Sequence, residues 1–214
     1  MTKKIIAINA SPRTTWNTAQ LVREAAQGAA DAGAKIEVID LYKLEPFMGC
    51  RSCFICKTEK HYGKCMYKDG LTDTLAKLRE ADGIILGTPN YFSRPTAGFR
   101  ALYERLVFQY LTYRVENTCC NERKVPVLFI MTSNAPAESY EGLGYRSMID
   151  EHVNTLNAFV GPTTAFICGN TLQTDRYEKF NWTMFNAQAK QQRHEEVFPQ
   201  ELEQIRDLGR TLFA

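Results

Sequence analysis

Five short apolar runs recur along the chain, each separated from the next by a stretch of helical spacing. Ile5-Ile6-Ala7-Ile8, within 3–9, reads as a buried strand. Residues 35–41 follow, with Ile36 and Val38 alternating with charge. Gly83-Ile84-Ile85-Leu86-Gly87, then 125–131, then 163–168 complete the set. Between them, Leu21, Val22, Ala25, Ala26 and Ala29 share one face of a helix over 17–32, which Gly33 ends as a C-cap. Leu71, Leu75 and Leu78 mark a short helix over 70–80. Pro95 fits the first turn of a third helix, whose apolar face is Phe99, Leu102, Tyr103, Leu106, Val107 and Tyr110. Ile149, Val153, Leu156 and Val160 stand in register over 145–160. A last helical region is interrupted near Pro199. Residues 45–69 show no period and hold four cysteines.

Strands alternating with helices predict an α/β fold with a parallel sheet covered on both faces. Right-handed crossovers restrict the topology. Five such strands suit a flavodoxin-like three-layer sandwich of order 2-1-3-4-5, formed by one domain over 1–214. In that order the ligand crevice opens between the loops that follow strands one and three.

Composition changes this picture little. Across 214 residues, 44% are hydrophobic and 23% charged, and the net charge is +2. This balance gives no reason to expect nucleic acid or an anionic membrane as partner. No apolar run approaches the roughly 20 residues of a spanning helix. Met1-Thr2-Lys3-Lys4 leads directly into a strand without the shape of a signal peptide, which predicts a cytoplasmic location. There, the seven cysteines are expected as thiols, metal ligands or redox groups rather than structural disulfides.

The first of the two crevice loops is Asn9-Ala10-Ser11-Pro12-Arg13-Thr14-Thr15-Trp16-Asn17-Thr18. A strand, a short polar loop and a helix N-terminus form a phosphate-holding geometry. Ser11, Thr14, Thr15, Asn17 and Thr18 offer short donors, and Arg13 a charged fork. The loop has neither a Walker A ending nor the glycines of a dinucleotide loop. The second loop, Thr88-Pro89-Asn90-Tyr91-Phe92-Ser93-Arg94, is aromatic. A phosphate loop and an aromatic loop meeting at one crevice point to a flavin mononucleotide (FMN).

These motifs resemble the NADPH-dependent FMN reductase family. Ser11-Pro12-Arg13, then Asn17-Thr18 and Leu21, is similar to its phosphate loop, although Trp16 stands where the family often has glycine. Cys50-x2-Cys53-x2-Cys56 with Cys65, the run from Ala81 to Phe92, and Pro95-Thr96-Ala97-Gly98-Phe99 followed by Arg105 extend the likeness over most of 3–110. Iron–sulfur flavoproteins and their cluster-free relatives are the subgroup it resembles most. The resemblance implies that Ser11, Arg13, Asn17 and Thr18 hold the FMN phosphate. Pro89, Asn90, Tyr91 and Phe92 would line the isoalloxazine, and Thr132-Ser133-Asn134 would close the far side. It also implies NAD(P)H as co-substrate, a small-molecule acceptor or redox protein as partner, and a homo-oligomer, dimer or tetramer.

Cys50, Cys53, Cys56 and Cys65 leave three chemistries open. Cysteines at this spacing can wrap a four-iron cluster, bind zinc or stand as free thiols. His61, His152 and His194 fall in different elements, and no acid–base triad is evident. Three functional classes follow: an FMN-dependent NAD(P)H oxidoreductase, an iron–sulfur flavoprotein carrying electrons between proteins, and a non-redox module that keeps the fold.

Overall fold

The computed structural model describes residues 2–214. Five strands form one parallel sheet: β1 (Lys4–Asn9), β2 (Lys35–Asp40), β3 (Gly83–Tyr91), β5 (Val127–Thr132) and β6 (Thr163–Cys168). Their order is β2-β1-β3-β5-β6. Counting the parallel strands alone, this is the expected 2-1-3-4-5. A two-residue strand, β4 (Arg94–Pro95), pairs antiparallel with the end of β3.

That hairpin corrects two expectations. β3 runs on through Thr88-Pro89-Asn90-Tyr91 where a loop was expected. Pro95 lies opposite Asn90 in the hairpin instead of opening a helix. Helix α3 starts at Ala97, and its N-cap is Thr96, whose hydroxyl accepts from the Phe99 amide. Phe92 and Ser93 make the two-residue turn with φ of 50° and 64°. Two consecutive left-handed residues match the twist of a tight hairpin.

Side chains alternate across each buried strand, so β1 sends Ile6 and Ile8 to one face and Ile5 and Ala7 to the other. The first face is covered by α2 (Thr72–Glu80), α3 (Ala97–Phe108) and α4 (Tyr145–Phe159). There Leu75, Leu102, Leu106, Ile149 and Leu156 pack with Ile84, Val127 and Phe129. The second face is covered by α1 (Asn17–Asp31) and α6 (Phe198–Phe213). Leu21, Val22, Ala25, Ile205 and Phe213 pack there with Ile85, Leu128 and Ile130. α1 and α6 approach backbone to backbone. A Cβ at Gly28 would lie 1.8 Å from the Arg206 carbonyl oxygen, and one at Gly209 would lie 2.1 Å from that of Ala25.

The interruption near Pro199 separates α5 (Ala187–Glu196) from α6, with the proline in the first turn of α6. The cysteine-bearing segment is irregular apart from 3-10 turns at Ile55–Lys57 and Glu59–His61. Among the described residues, no helix is long and apolar enough to cross a membrane.

Candidate functional site

The ends of β1, β3 and β5 and the chain after β6 enclose one cleft. Asn9 ends β1, and its side-chain oxygen accepts from the Ser11 amide at 3.1 Å. The Ser11 hydroxyl accepts from the Arg13 amide at 3.2 Å. The loop is thus folded by its own short polar groups. Thr96 ties it to the second loop, donating its hydroxyl to the Ala10 carbonyl at 2.8 Å while its amide donates to the Thr88 hydroxyl at 3.2 Å.

Trp16 occupies the N-cap position of α1 with φ −97° and ψ −173°, and provides no side-chain cap. An extended residue needs no glycine there. Its indole N–H donates to the Leu172 carbonyl at 2.9 Å, and the Arg13 guanidinium lies 5.1 Å from its ring centre. With no capping side chain, the amides of the first turn stay available to an anion. Asn134 is not left-handed.

The cleft has a volume of about 230 Å³. Ser11, Arg13, Asn17 and Thr18 line it from the first loop, Pro89, Asn90 and Tyr91 from β3, and Thr132, Ser133 and Asn134 from the end of β5. Two of the residues expected at the site are not brought there. Thr15 is exposed, and its carbonyl accepts from the Gln20 amide side chain at 3.1 Å. Phe92 stands at the hairpin tip with its ring fully in solvent.

Buried polar atoms line the cleft without protein partners. Both amide atoms of Asn90, and the side-chain oxygen of Asn17, make no hydrogen bond. Such atoms are costly unless a ligand or water meets them. The Asn17 amide nitrogen is committed to the Leu172 carbonyl at 2.7 Å. Uncapped first-turn amides, a surface arginine, the unpartnered Asn17 side-chain oxygen and the unpartnered Asn90 amide near the C-terminal end of β3 fit a phosphorylated, hydrogen-bonding, planar group.

Sequence reasoning missed the contribution of the C-terminal part of the chain. Thr171 and Gln173 line the same cleft. Beyond Asn90, Ser133 and Asn134 it adjoins a second cavity of about 530 Å³. Tyr145, Met184, Phe185 and Lys190 wall that cavity. No motif marks these positions, and Lys190 is one of many polar residues in α5.

The four cysteines lie at a separate place. Cys50, Cys53, Cys56 and Cys65 line one cavity with Arg105 and Gln109. Ser52 and Phe54, between the first three, take left-handed φ of 52° and 57°. Arg105 is buried and pairs with Asp69 at 2.6 and 2.7 Å. Burial works against its charge, and hydrogen bonds to Asp69 and Cys65 more than offset this, so its guanidinium stays protonated. Burial pushes the Cys56 thiol up, against the pull of Lys57.

Among the described residues, no three His, Cys, Asp or Glu side chains stand close enough to hold one metal ion. A tetrahedral zinc site needs sulfurs about 3.8 Å apart, so this arrangement does not fit zinc. The enclosed space is about 20 Å³, room for a single water. The donor set has the chemistry of a four-iron cluster, but the enclosed space does not hold one.

His152 is 4% exposed, and its Nδ1 lies 2.7 Å from the Met148 carbonyl. Its ring packs among Phe99, Tyr103 and Phe129, and burial lowers its pKa. It lies outside the lining of the cleft.

The family model for NADPH-dependent FMN reductases matches residues 3–173. An iron–sulfur flavoprotein of Methanocaldococcus jannaschii is 42% identical over 104 residues, 48% of this chain and 51% of that protein. One from Archaeoglobus fulgidus is 35% identical over 48% of each. The chain therefore matches about half the length of these curated relatives. Among solved structures, the NAD(P)H:quinone oxidoreductase of Methanothermobacter marburgensis aligns with a TM-score of 0.67 at 16% identity, over 100% of this chain and 98% of that one. An azoreductase of Bacillus anthracis aligns with a TM-score of 0.67 at 14% identity, over 99% and 100%. At such identities the structural matches speak for a shared fold. With the family match extending over most of its length, the chain belongs to the NADPH-dependent FMN reductase family.

Proposed function

We propose that the chain, acting as one domain over 1–214, is an FMN-dependent NAD(P)H oxidoreductase with its flavin in the cleft between β1 and β3. The observation that carries this reading is the pairing of an uncapped α1 N-terminus with the unpartnered Asn90 side chain across one cleft. The first is suited to a phosphate and the second to the polar edge of a ring. Family membership supports the same cofactor.

In this reading Ser11, Arg13, Asn17 and Thr18 hold the phosphate. The Arg13 guanidinium supplies charge, and the buried hydroxyls of Ser11 and Thr18 supply directed hydrogen bonds. Pro89, Asn90 and Tyr91 bound the ring, and Thr132, Ser133 and Asn134 close the far side. Bound flavin supplies the hydride and electron chemistry. The protein's task is to orient it and leave one face open to NAD(P)H and then to a small-molecule acceptor or redox protein. A homo-oligomeric state accompanies this reading.

A second reading is supported by the spacing of the four cysteines and by the relatives named iron–sulfur flavoproteins. In it, Cys50, Cys53, Cys56 and Cys65 carry a four-iron cluster and the protein passes electrons onward.

An absorption spectrum with iron and sulfide analysis after anaerobic purification separates the readings. Yellow protein that oxidises NAD(P)H rapidly supports the first. Brown protein with iron and sulfide selects the second. Colourless protein that does not retain added FMN overturns both.

A further inference from the structure

Lys190 is a buried cation whose hydrogen bonds all go to uncharged oxygens. It is 7% exposed. Its ammonium donates to the Asn134 side-chain oxygen at 2.6 Å, the Asn134 carbonyl at 3.1 Å and the Thr171 carbonyl at 3.4 Å. The Phe185 ring lies 5.8 Å away, and Arg193, one turn further along α5, adds positive charge. Burying a charge without a counter-charge is costly. A methionine would fill similar space without that cost, so the charge calls for a partner that the protein itself does not provide.

The position of Lys190 indicates that partner. It lines the 530 Å³ cavity that shares Asn90, Ser133 and Asn134 with the cleft. It lies beyond residues 3–173, in the part of the chain outside the family match. We propose that Lys190 is a positioning residue for the flavin: it fixes Asn134 through both oxygens and holds a positive charge at the end of the cleft that favours the reduced, negatively charged cofactor.

The chemistry balances. A reduced nicotinamide gives up a hydride as its C–H bond breaks, and an N–H bond forms on the neutral flavin. Two electrons and one proton have then been added, so the ring carries one negative charge. The nicotinamide leaves oxidised, and no further proton is required. A cation near the ring stabilises this product more than the neutral starting form. Burial and Arg193 push the Lys190 pKa down to about 8, which leaves the ammonium mainly protonated at neutral pH.

The inference rests on the flavin reading, and the test separates the two. Wild type, Lys190→Met, Lys190→Gln and Lys190→Arg are loaded with FMN and equilibrated at pH 7 with a redox dye of known potential. Both neutral variants are expected to bind oxidised FMN within about threefold of wild type. At a fixed potential their ratio of reduced to oxidised flavin should fall about tenfold, equivalent to about 30 mV for a two-electron couple. Lys190→Arg should restore most of that ratio. FMN bound with the same ratio in all four proteins overturns the role of Lys190 and leaves the flavin reading intact. Wild type that binds no FMN overturns the flavin reading and the inference with it. If both neutral variants fail to fold, Lys190 is a structural anchor and the inference is likewise overturned.

Discussion

Thr18 and Thr132 share a hydrogen bond of 2.7 Å between their hydroxyls, joining the first turn of α1 to the last residue of β5. Both are 3% exposed, and both line the cleft. Thr18→Val removes one hydroxyl and leaves the Thr132 hydroxyl buried without this partner. Thermal or urea unfolding of the apoprotein should show a loss of about 1–3 kcal/mol. Thr18→Val combined with Thr132→Val should recover most of it, because no polar atom is then stranded. Equal losses in the single and double variants would show that the bond is not what stabilises this contact.

Arg13 lies at the surface, held by the Gln173 carbonyl and stacked on Trp16. Its removal should leave the melting temperature nearly unchanged. A charge-assisted contact to a phosphate is worth about 1.5–3 kcal/mol. Titration of Arg13→Ala apoprotein with FMN should therefore show affinity weaker by roughly 10- to 100-fold. Unchanged affinity would remove Arg13 from the phosphate site.

The Arg105–Asp69 pair makes stability depend on pH beside the cysteine cavity. Burial works against the charge of Asp69, but hydrogen bonds from Arg105 and from the Met48 and Leu71 amides more than offset it and hold its pKa below the usual value. A carboxyl depressed in the folded state adds stability that is fully present above its unfolded pKa of about 3.9. That stability is lost as pH falls through the folded pKa. Asp69→Asn strands a buried guanidinium and should cost about 3–5 kcal/mol at neutral pH. The gap between wild type and variant should narrow below about pH 4. A gap that stays constant down to pH 2 would mean that ionisation of Asp69 is not the source.

Cys53 is exposed, whereas Cys56 is buried. Cys53→Ala should therefore cost the fold little. If the cysteines carry a cluster, this variant purified without oxygen should lose iron and sulfide while keeping FMN, because the phosphate loop belongs to a different part of the sheet. Full iron content in the variant would place the fourth ligand elsewhere.

The parallel strands were legible because apolar runs such as 5–8 and 83–87 had to be buried on both faces. The helices declared themselves by spacing: α1 and α4 begin at the residues that their patterns predict, Asn17 and Tyr145. Extension of β3 was hidden by Pro89, which usually argues against a strand interior yet here pairs in register with Thr132. The β4 hairpin was hidden because its turn uses Phe92 and Ser93 rather than the glycine or asparagine that such turns favour. Ser11, Asn17 and Thr18 followed from the logic of a strand leading into a helix. Lys190 followed from nothing local, since its burial is created by a loop 56 positions away.

Trp16 and Asn17 both bond to the Leu172 carbonyl, across 156 and 155 positions of sequence. Contacts of such separation carry a loop-closure cost that must be met before they add stability. The pocket wall after β6 is therefore expected to assemble after the sheet has ordered, so the collapsing chain offers no finished site to a ligand. Added FMN should leave the refolding rate of the apoprotein nearly unchanged and slow its unfolding. Bound cofactor would then act as a kinetic latch: by mass action it stabilises the native state, and its grip is felt on the way out of that state rather than on the way in.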